Sequence, residues 1–288
     1  MANYSLIFAE KNLMDIPFEI LITAHWRPQD AQLKKEYKKD NKNADQKEYL
    51  RLKDIWKERE VWINSCLDLL MLSTPQKTLA KVFNSLIGEE YLKPAANYRL
   101  DKLKSLGKWT GVPDFVLRDT LNNMLCGEIK IAAIKSNHKY SFQQYQKYMS
   151  IALLYLYSPE YPGPKQIKNI VVVPFDDLES NILDYKLWEP QIVDNRIIPF
   201  TGKKDTSHSR FIENMKIFLN NEKIVKANKI KYEDVISDIE NIHNTVPTYL
   251  FTWSKLLNAY YDICKETCDE RFLSYIERLM ELTIINNS

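Results

Sequence analysis

The stretch GVPDFVLRDTLNNMLCGEIKIA, residues 111–132, combines a strong fold signal with a concentration of charged side chains. Residues 114–118 and 124–131 are mostly apolar, and a short polar turn containing Asn122 and Asn123 separates them. This pattern predicts two strands joined as a hairpin. A hairpin centred near Leu121 would place Asp114 directly opposite Glu128.

The charges of this hairpin predict a chemical site. Glu128 and Lys130 are two positions apart, so they project from the same face of a strand, and Asp114 can join them from the partner strand. Two neighbouring carboxylates repel each other unless a cation lies between them, and Mg²⁺ prefers oxygen ligands of this kind. A bound Mg²⁺ activates water and neutralises phosphoryl charge, which are requirements of phosphodiester hydrolysis. The alternative is an ordinary cross-strand ion pair.

The elements around the hairpin alternate between helix and strand, which predicts an α/β fold. Residues 49–72 have helical spacing, and a second helix at 75–87 ends at Gly88. Residues 141–157 predict a helix, and the β-branched run at 167–175 predicts a buried strand. Beyond residue 176 we predict a mainly helical region, with helices at 209–220, 232–243, 247–266 and 269–284.

Pro113-Asp114 followed by Glu128-Ile129-Lys130 resembles the signature of the PD-(D/E)xK nucleases, which include many restriction endonucleases and RecB-like exonucleases. The resemblance covers roughly residues 55–176 and implies a restriction-endonuclease-like core, a central mixed sheet flanked by helices. Residues 1–54 would then be a partly helical N-terminal extension. Residues 177–288 would be a mainly helical region for recognition or oligomerisation.

The resemblance implies roles for individual residues. Asp114 and Glu128 would bind the metal, with the Ile129 carbonyl as a third ligand, and Lys130 would be the catalytic lysine. Many members have a further acid upstream, for which Glu89 is our first candidate, ahead of Glu60 and Glu90.

A second motif lies downstream of the hairpin. Gln144 and Tyr148 form a Q-x-x-x-Y pair that resembles a motif of RecB-like members. Four positions apart on a helix, they share one face and would either contact the nucleic-acid backbone or brace the site. Lys135 and Lys139 are expected to contact phosphate.

These features predict a Mg²⁺-dependent deoxyribonuclease of restriction-like or phage-defence type that cuts within DNA, with Mn²⁺ able to substitute. The alternative is a non-catalytic protein that keeps the nuclease fold to bind nucleic acid or a partner. RNA as the substrate also stays open. A homodimer and an activating partner are both compatible with the sequence.

Other classes fit the sequence poorly. It contains no Gly-rich phosphate loop, no zinc-ligand spacing and no G-x-S-x-G elbow. Its cysteines form no disulfide framework, and its apolar runs are too short for a membrane span. We therefore expect an intracellular protein without a membrane partner, located in the cytoplasm, or in the nucleus if the source is a eukaryote.

Overall fold

The computed structural model describes residues 66–93, 97–99, 113–130, 139–157, 165–174, 176–201, 205–219, 232–266 and 270–285. Lys135 and residues 1–65, which include Glu60 and most of the helix predicted at 49–72, lie outside these ranges. Among the described helices, none combines the length and the apolar character needed to cross a bilayer.

One mixed sheet of seven strands forms the centre of the described structure, in the order β1-β2-β3-β4-β7-β6-β5. The strands are β1 (Asn97–Arg99), β2 (Phe115–Arg118), β3 (Asn123–Ile129), β4 (Gln166–Val173), β5 (Gln191–Val193), β6 (Arg196–Ile198) and β7 (Thr248–Thr252). The three central strands β3, β4 and β7 run parallel, and the remaining pairings are antiparallel.

Helices cover both faces of the sheet. They are α1 (residues 66–73), α2 (Gln76–Ile87), α3 (Phe142–Tyr157), α4 (Tyr185–Trp188), α5 (Asp205–Leu219), α6 (Tyr232–Ile239), α7 (Ile242–Thr245), α8 (Trp253–Cys264) and α9 (Glu270–Ile285). The α/β class and the mixed sheet with flanking helices are therefore confirmed.

The alternation of side chains along β3 divides the apolar core into two layers. Met124 and Cys126 pack in the layer that contains α3. Leu125 and Ile129 pack in the layer that contains α2, α8 and α9. Glu128 therefore projects towards α3, on the same face as Met124 and Cys126.

The predicted hairpin is confirmed in its register. Phe115 pairs with Gly127 and Arg118 with Met124, which is the pairing expected for a turn centred near Leu121. Asn122 adopts the left-handed conformation that asparagine tolerates in turns, with a φ of 65°. This register brings Asp114 level with Glu128.

The prediction of a helix over residues 247–266 is wrong for its first part. Thr248–Thr252 forms β7, which pairs in parallel with β4, and helix α8 begins at Trp253. The run TYLFT is β-branched and aromatic, so it suits a buried strand at least as well as a helix. The aromatic side chains of Phe251, Trp253 and Tyr260 are buried in the core.

The hairpin of β5 and β6 was not expected from the sequence. Its two turn residues, Asp194 and Asn195, have φ values of 50° and 62°, as two-residue hairpin turns require. Strands β5, β6 and β7 come from beyond residue 177 and lie in the same sheet as β1–β4.

Gly127 has a packing role next to the candidate site. A Cβ atom at this position would overlap the ring of Phe115, the residue that pairs with it across the hairpin. The Phe115 ring is itself confined by Phe83, with the two ring centroids 5.7 Å apart. The absence of a side chain at Gly127 thus lets the Phe115 ring lie against β3, one residue after Asp114.

We predict that Gly127→Ala lowers the free energy of unfolding by about 1–3 kcal/mol, because the added methyl group displaces the Phe115 ring. Chemical denaturation of the single and double variants measures this cost. The loss should shrink in a Phe115→Leu background, where the overlap is relieved. An equal loss in both backgrounds would contradict this explanation.

Candidate active site

Asp114, Glu128 and Lys130 lie at the edge of the sheet where the parallel strands β3 and β4 end. Ligand sites of open α/β sheets commonly lie at the carboxyl ends of the strands. The structure therefore brings together the three residues that the sequence grouped, at a position suited to binding.

The Glu128 carboxylate is buried and receives hydrogen bonds from three side chains. Its Oε1 atom accepts from Lys130 Nζ at 2.7 Å and from Gln144 Nε2 at 2.9 Å. Its Oε2 atom accepts from the Tyr148 hydroxyl at 2.5 Å. A buried carboxylate is costly unless it is paired and hydrogen-bonded, and these contacts offset that cost.

Gln144 is oriented by the start of helix α3. The Ser141 hydroxyl accepts from the Gln144 backbone N–H at 3.2 Å, and the Ser141 N–H donates to Gln144 Oε1 at 3.1 Å. This reciprocal pair is a capping box. Because the amide oxygen is held by Ser141, the amide nitrogen is directed at Glu128.

Tyr148 lies one helical turn further along α3. Burial raises the pKa of its phenol well above the usual value, and the negative charges of Glu128 and Asp114 raise it further. The hydroxyl also lies 3.1 Å from the Gly127 carbonyl oxygen. Since it has a single proton, we expect that proton to go to the charged and closer Glu128 oxygen. Tyr148 is thus a permanent donor to Glu128.

Asp114 extends the pairing of β2 with β3 through its side chain. Its Oδ2 atom accepts from the Ile129 N–H at 2.7 Å, and its own N–H donates to the Gly127 carbonyl at 2.9 Å. The N–H and C=O of one strand residue point to the same side. The Ile129 carbonyl therefore points towards the side of β3 on which Asp114 lies.

Asp114, Glu128 and Ile129 offer carboxylate and carbonyl oxygens at one end of the sheet, and these are the ligand types that Mg²⁺ prefers. Each carboxylate oxygen has two lone pairs, so Glu128 Oε1 is filled by its two donors, whereas Oε2 has one acceptor position beyond Tyr148. In the described part of the chain, no three His, Cys, Asp or Glu side chains gather as a metal-binding group. The candidate ligands are thus only two carboxylates and one backbone carbonyl. So few protein ligands suit Mg²⁺, which usually keeps several of its water molecules.

The structure does not bring Glu89 to this site. Glu89 is half exposed and forms an ion pair with Lys168. Lys168 lies level with Leu125, three residues before the position on β4 that pairs with Glu128, and its ammonium is 4.7 Å from the centre of the Tyr91 ring. Glu89 therefore occupies a different region from Asp114 and Glu128, and its predicted role as a ligand of the same metal is not supported by its position.

Of the two roles considered for Gln144 and Tyr148, the contacts favour bracing the site, since both bind Glu128. Lys139 lies just ahead of α3 and is partly buried. Sequence reasoning missed Ser141, although the spacing S-x-x-Q is a readable capping signal. The contact of Trp253, whose indole Nε1 donates to the Lys130 carbonyl at 2.9 Å, was not predicted either.

No protein-family model, curated protein or solved structure matches the chain. The function proposed below rests on the geometry around Glu128 and on the resemblance of its motif.

We predict that Tyr148→Phe destabilises the fold by about 1.5–3 kcal/mol, because a hydrogen bond to a buried carboxylate is lost. The matched control is Tyr155→Phe on the same helix, whose hydroxyl donates to the neutral Asn122 carbonyl at 2.8 Å. Its loss should cost about 1 kcal/mol. Denaturant unfolding compares the two, and equal losses would contradict a charged, hydrogen-bonded Glu128.

Proposed function

We propose that the protein is a Mg²⁺-dependent deoxyribonuclease that cuts within DNA, of restriction-like or phage-defence type. The observation that carries the proposal is the arrangement of the three motif residues. Asp114 accepts a hydrogen bond from the Ile129 N–H, and Ile129 lies between Glu128 and Lys130, which pair with each other. The mixed sheet with helices on both faces is compatible with a restriction-endonuclease-like core. An enzyme of restriction-like or phage-defence type would act inside the cell.

Asp114, Glu128 and the Ile129 carbonyl are the groups that would hold Mg²⁺. When bound, Mg²⁺ neutralises charge on a phosphoryl oxygen and lowers the pKa of a coordinated water. The two carboxylates come from adjacent strands whose register is fixed by the hairpin, so their separation is set by the fold. Mn²⁺ prefers similar ligands and should substitute.

Lys130 supplies the positive charge of the site. Its ammonium pairs with Glu128 at 2.7 Å, and both side chains are buried. The same ammonium, next to the carboxylates, is suited to stabilise the negative charge that develops on a phosphate oxygen during hydrolysis. Removing it should therefore reduce catalysis more than substrate binding.

Gln144 and Tyr148 keep Glu128 in one orientation. Each donates to a different oxygen of the carboxylate, so rotation of that carboxylate would break both contacts. Because burial raises the pKa of its phenol, Tyr148 stays protonated near neutral pH and remains a hydrogen-bond donor rather than a general base. Its hydrogen bond would orient Glu128 Oε2, so that the second lone pair of this atom is available to the metal.

A polyanionic substrate is supported by the charge balance of the sequence around the motif. Basic residues outnumber acidic ones between residues 93 and 148. Among them, the Lys147 ammonium is 5.3 Å from the centre of the Tyr148 ring, which places a positive charge beside the residue that holds Glu128. Such local positive charge attracts nucleic-acid phosphates.

A non-catalytic protein that binds nucleic acid or a partner is the second candidate. The observation that favours it is that Glu128 already has an ion pair with Lys130 and hydrogen bonds from Gln144 and Tyr148 without a metal. The two candidates differ in what happens when Mg²⁺ is supplied.

The test is cleavage of supercoiled plasmid, linear duplex, single-stranded DNA and RNA with Mg²⁺, Mn²⁺ or EDTA. We expect metal-dependent nicking and linearisation of plasmid by the native chain, and a loss of about 100-fold or more in Lys130→Met. The matched control is Lys168→Met, which removes a mostly buried, paired lysine elsewhere on the sheet and should retain activity.

If the protein binds DNA but cuts it with neither Mg²⁺ nor Mn²⁺, the result would favour the second candidate. Cutting that survives in Lys130→Met as well as in Lys168→Met would assign the activity to another site. Preference for RNA would change the substrate and leave the site unchanged.

A further inference from the structure

Trp253 connects helix α8 to the end of the strand that carries the candidate active site. It is the first residue of α8, its side chain is 3% exposed, and its indole Nε1 lies 2.9 Å from the Lys130 carbonyl oxygen. The two residues are 123 positions apart in the chain. Residues so far apart in the sequence come into contact only when the whole sheet has formed.

The indole spans the ends of the parallel strands. Ile129 on β3 lies level with Val172 on β4, which lies level with Phe251 on β7. Neighbouring strands are about 4.8 Å apart, so β7 and β3 are separated by about 10 Å. Tryptophan is a long side chain with a neutral donor near its tip, and a lysine or arginine in its place would bury a charge.

The backbone of Lys130 is consequently held on both of its polar groups. Its N–H donates to the Val172 carbonyl at 2.7 Å, and its C=O accepts from Trp253. Lys130 is one residue beyond the end of β3, where a backbone is free of the sheet unless other contacts fix it. Because both groups are held, the direction of the Lys130 side chain is fixed. Its Nζ atom lies 2.7 Å from Glu128 Oε1.

The position of the indole is itself determined by the start of α8. The Thr252 hydroxyl caps this helix by accepting from the Lys255 N–H at 3.1 Å. The Ser254 hydroxyl donates to Asp176 Oδ1 at 3.2 Å, which ties the helix to the segment after β4. Trp253 also packs in the same core layer as Leu256 and Tyr260, on the face of the sheet opposite Glu128.

We propose that Trp253 is the positioning residue of Lys130, and that through it the C-terminal helices α8 and α9 brace the candidate active site. The structural part of this proposal is that Trp253 maintains the pairing of Lys130 with Glu128. The catalytic consequence rests on the proposed nuclease function. The indole N–H holds the strand end in place, and the Lys130 ammonium depends on it for its position beside Glu128.

The test compares Trp253→Phe with Trp188→Phe. Trp188 is a matched control because it is buried and its indole Nε1 donates to a backbone carbonyl, that of Leu183, at 3.2 Å in another part of the structure. The readout is the ammonium signal of Lys130 in ¹⁵N-labelled protein, assigned by its disappearance in Lys130→Met. Buried and paired with Glu128, this ammonium should exchange its protons slowly with water.

We expect Trp253→Phe to accelerate this exchange by about tenfold or more, and Trp188→Phe to leave it unchanged. Unchanged exchange in Trp253→Phe would overturn the proposal. So would equal acceleration in both variants, because it would indicate a general loss of stability. These outcomes do not depend on whether the protein cuts DNA.

If the native chain proves to be a nuclease, Trp253→Phe should also lower kcat by about tenfold with KM nearly unchanged, because a small misplacement of a catalytic group is costly. A pure rise in KM would overturn the positioning role. Should Trp253→Phe fail to fold, 3-benzothienylalanine at position 253 keeps the bicyclic shape and replaces the N–H donor with a sulfur atom. That variant should show the same faster exchange, and native exchange in it would overturn the proposal.

Discussion

The buried carboxylate of Glu128 is the constraint on which the rest of the site depends. A charge in this position is tolerated only because Lys130, Gln144 and Tyr148 all donate to it. Each donor imposes a requirement on the fold. Lys130 requires a fixed end of β3, whereas Gln144 and Tyr148 require helix α3 to begin at a defined point and to lie over that strand. The short chain of contacts from Ser141 through Gln144 to Glu128 shows how a helix cap can set the orientation of a carboxylate on a neighbouring strand.

Both faces of the sheet contribute to holding this strand end. From one face, α3 supplies the donors to Glu128. From the other, α8 supplies the indole that binds the Lys130 carbonyl. Along the sheet, β2 contributes the Asp114 carboxylate to the Ile129 N–H, and β4 contributes the Val172 carbonyl to the Lys130 N–H. The peptide groups of Ile129 and Lys130 are therefore held from several directions, as is required of a site whose oxygen atoms must keep a fixed geometry.

The part of the site that depends on local sequence could be predicted, and the part that depends on distant pairing could not. The register of β2 and β3 follows from a tight turn, so the approach of Asp114 to Glu128 was predictable from the hairpin alone. The shared face of Glu128 and Lys130 follows from strand geometry. Glu89 lies beside Lys168 instead, because closeness in sequence to the strands gives no information on where along the sheet a residue lies. Strand β7 was taken for helix because a short aromatic run merges with the helix that follows it, and its parallel pairing with β4 joins segments far apart in the chain. The contact of Trp253 with Lys130 depends on that same pairing.

The central claim is that Asp114 and Glu128 form an oxygen site for a divalent cation, and Mn²⁺ titration followed by NMR tests it most directly. Paramagnetic Mn²⁺ should broaden the backbone amide signals of residues close to Asp114 and Glu128 at low metal concentration, and Mg²⁺ should compete for the effect. The broadening should be lost in Asp114→Asn, which keeps the shape of the side chain and removes its charge. Localised broadening that Mg²⁺ reverses and that Asp114→Asn abolishes is the predicted result. Broadening elsewhere, or none up to millimolar Mn²⁺, would contradict the account and leave Glu128 and Lys130 as a structural ion pair.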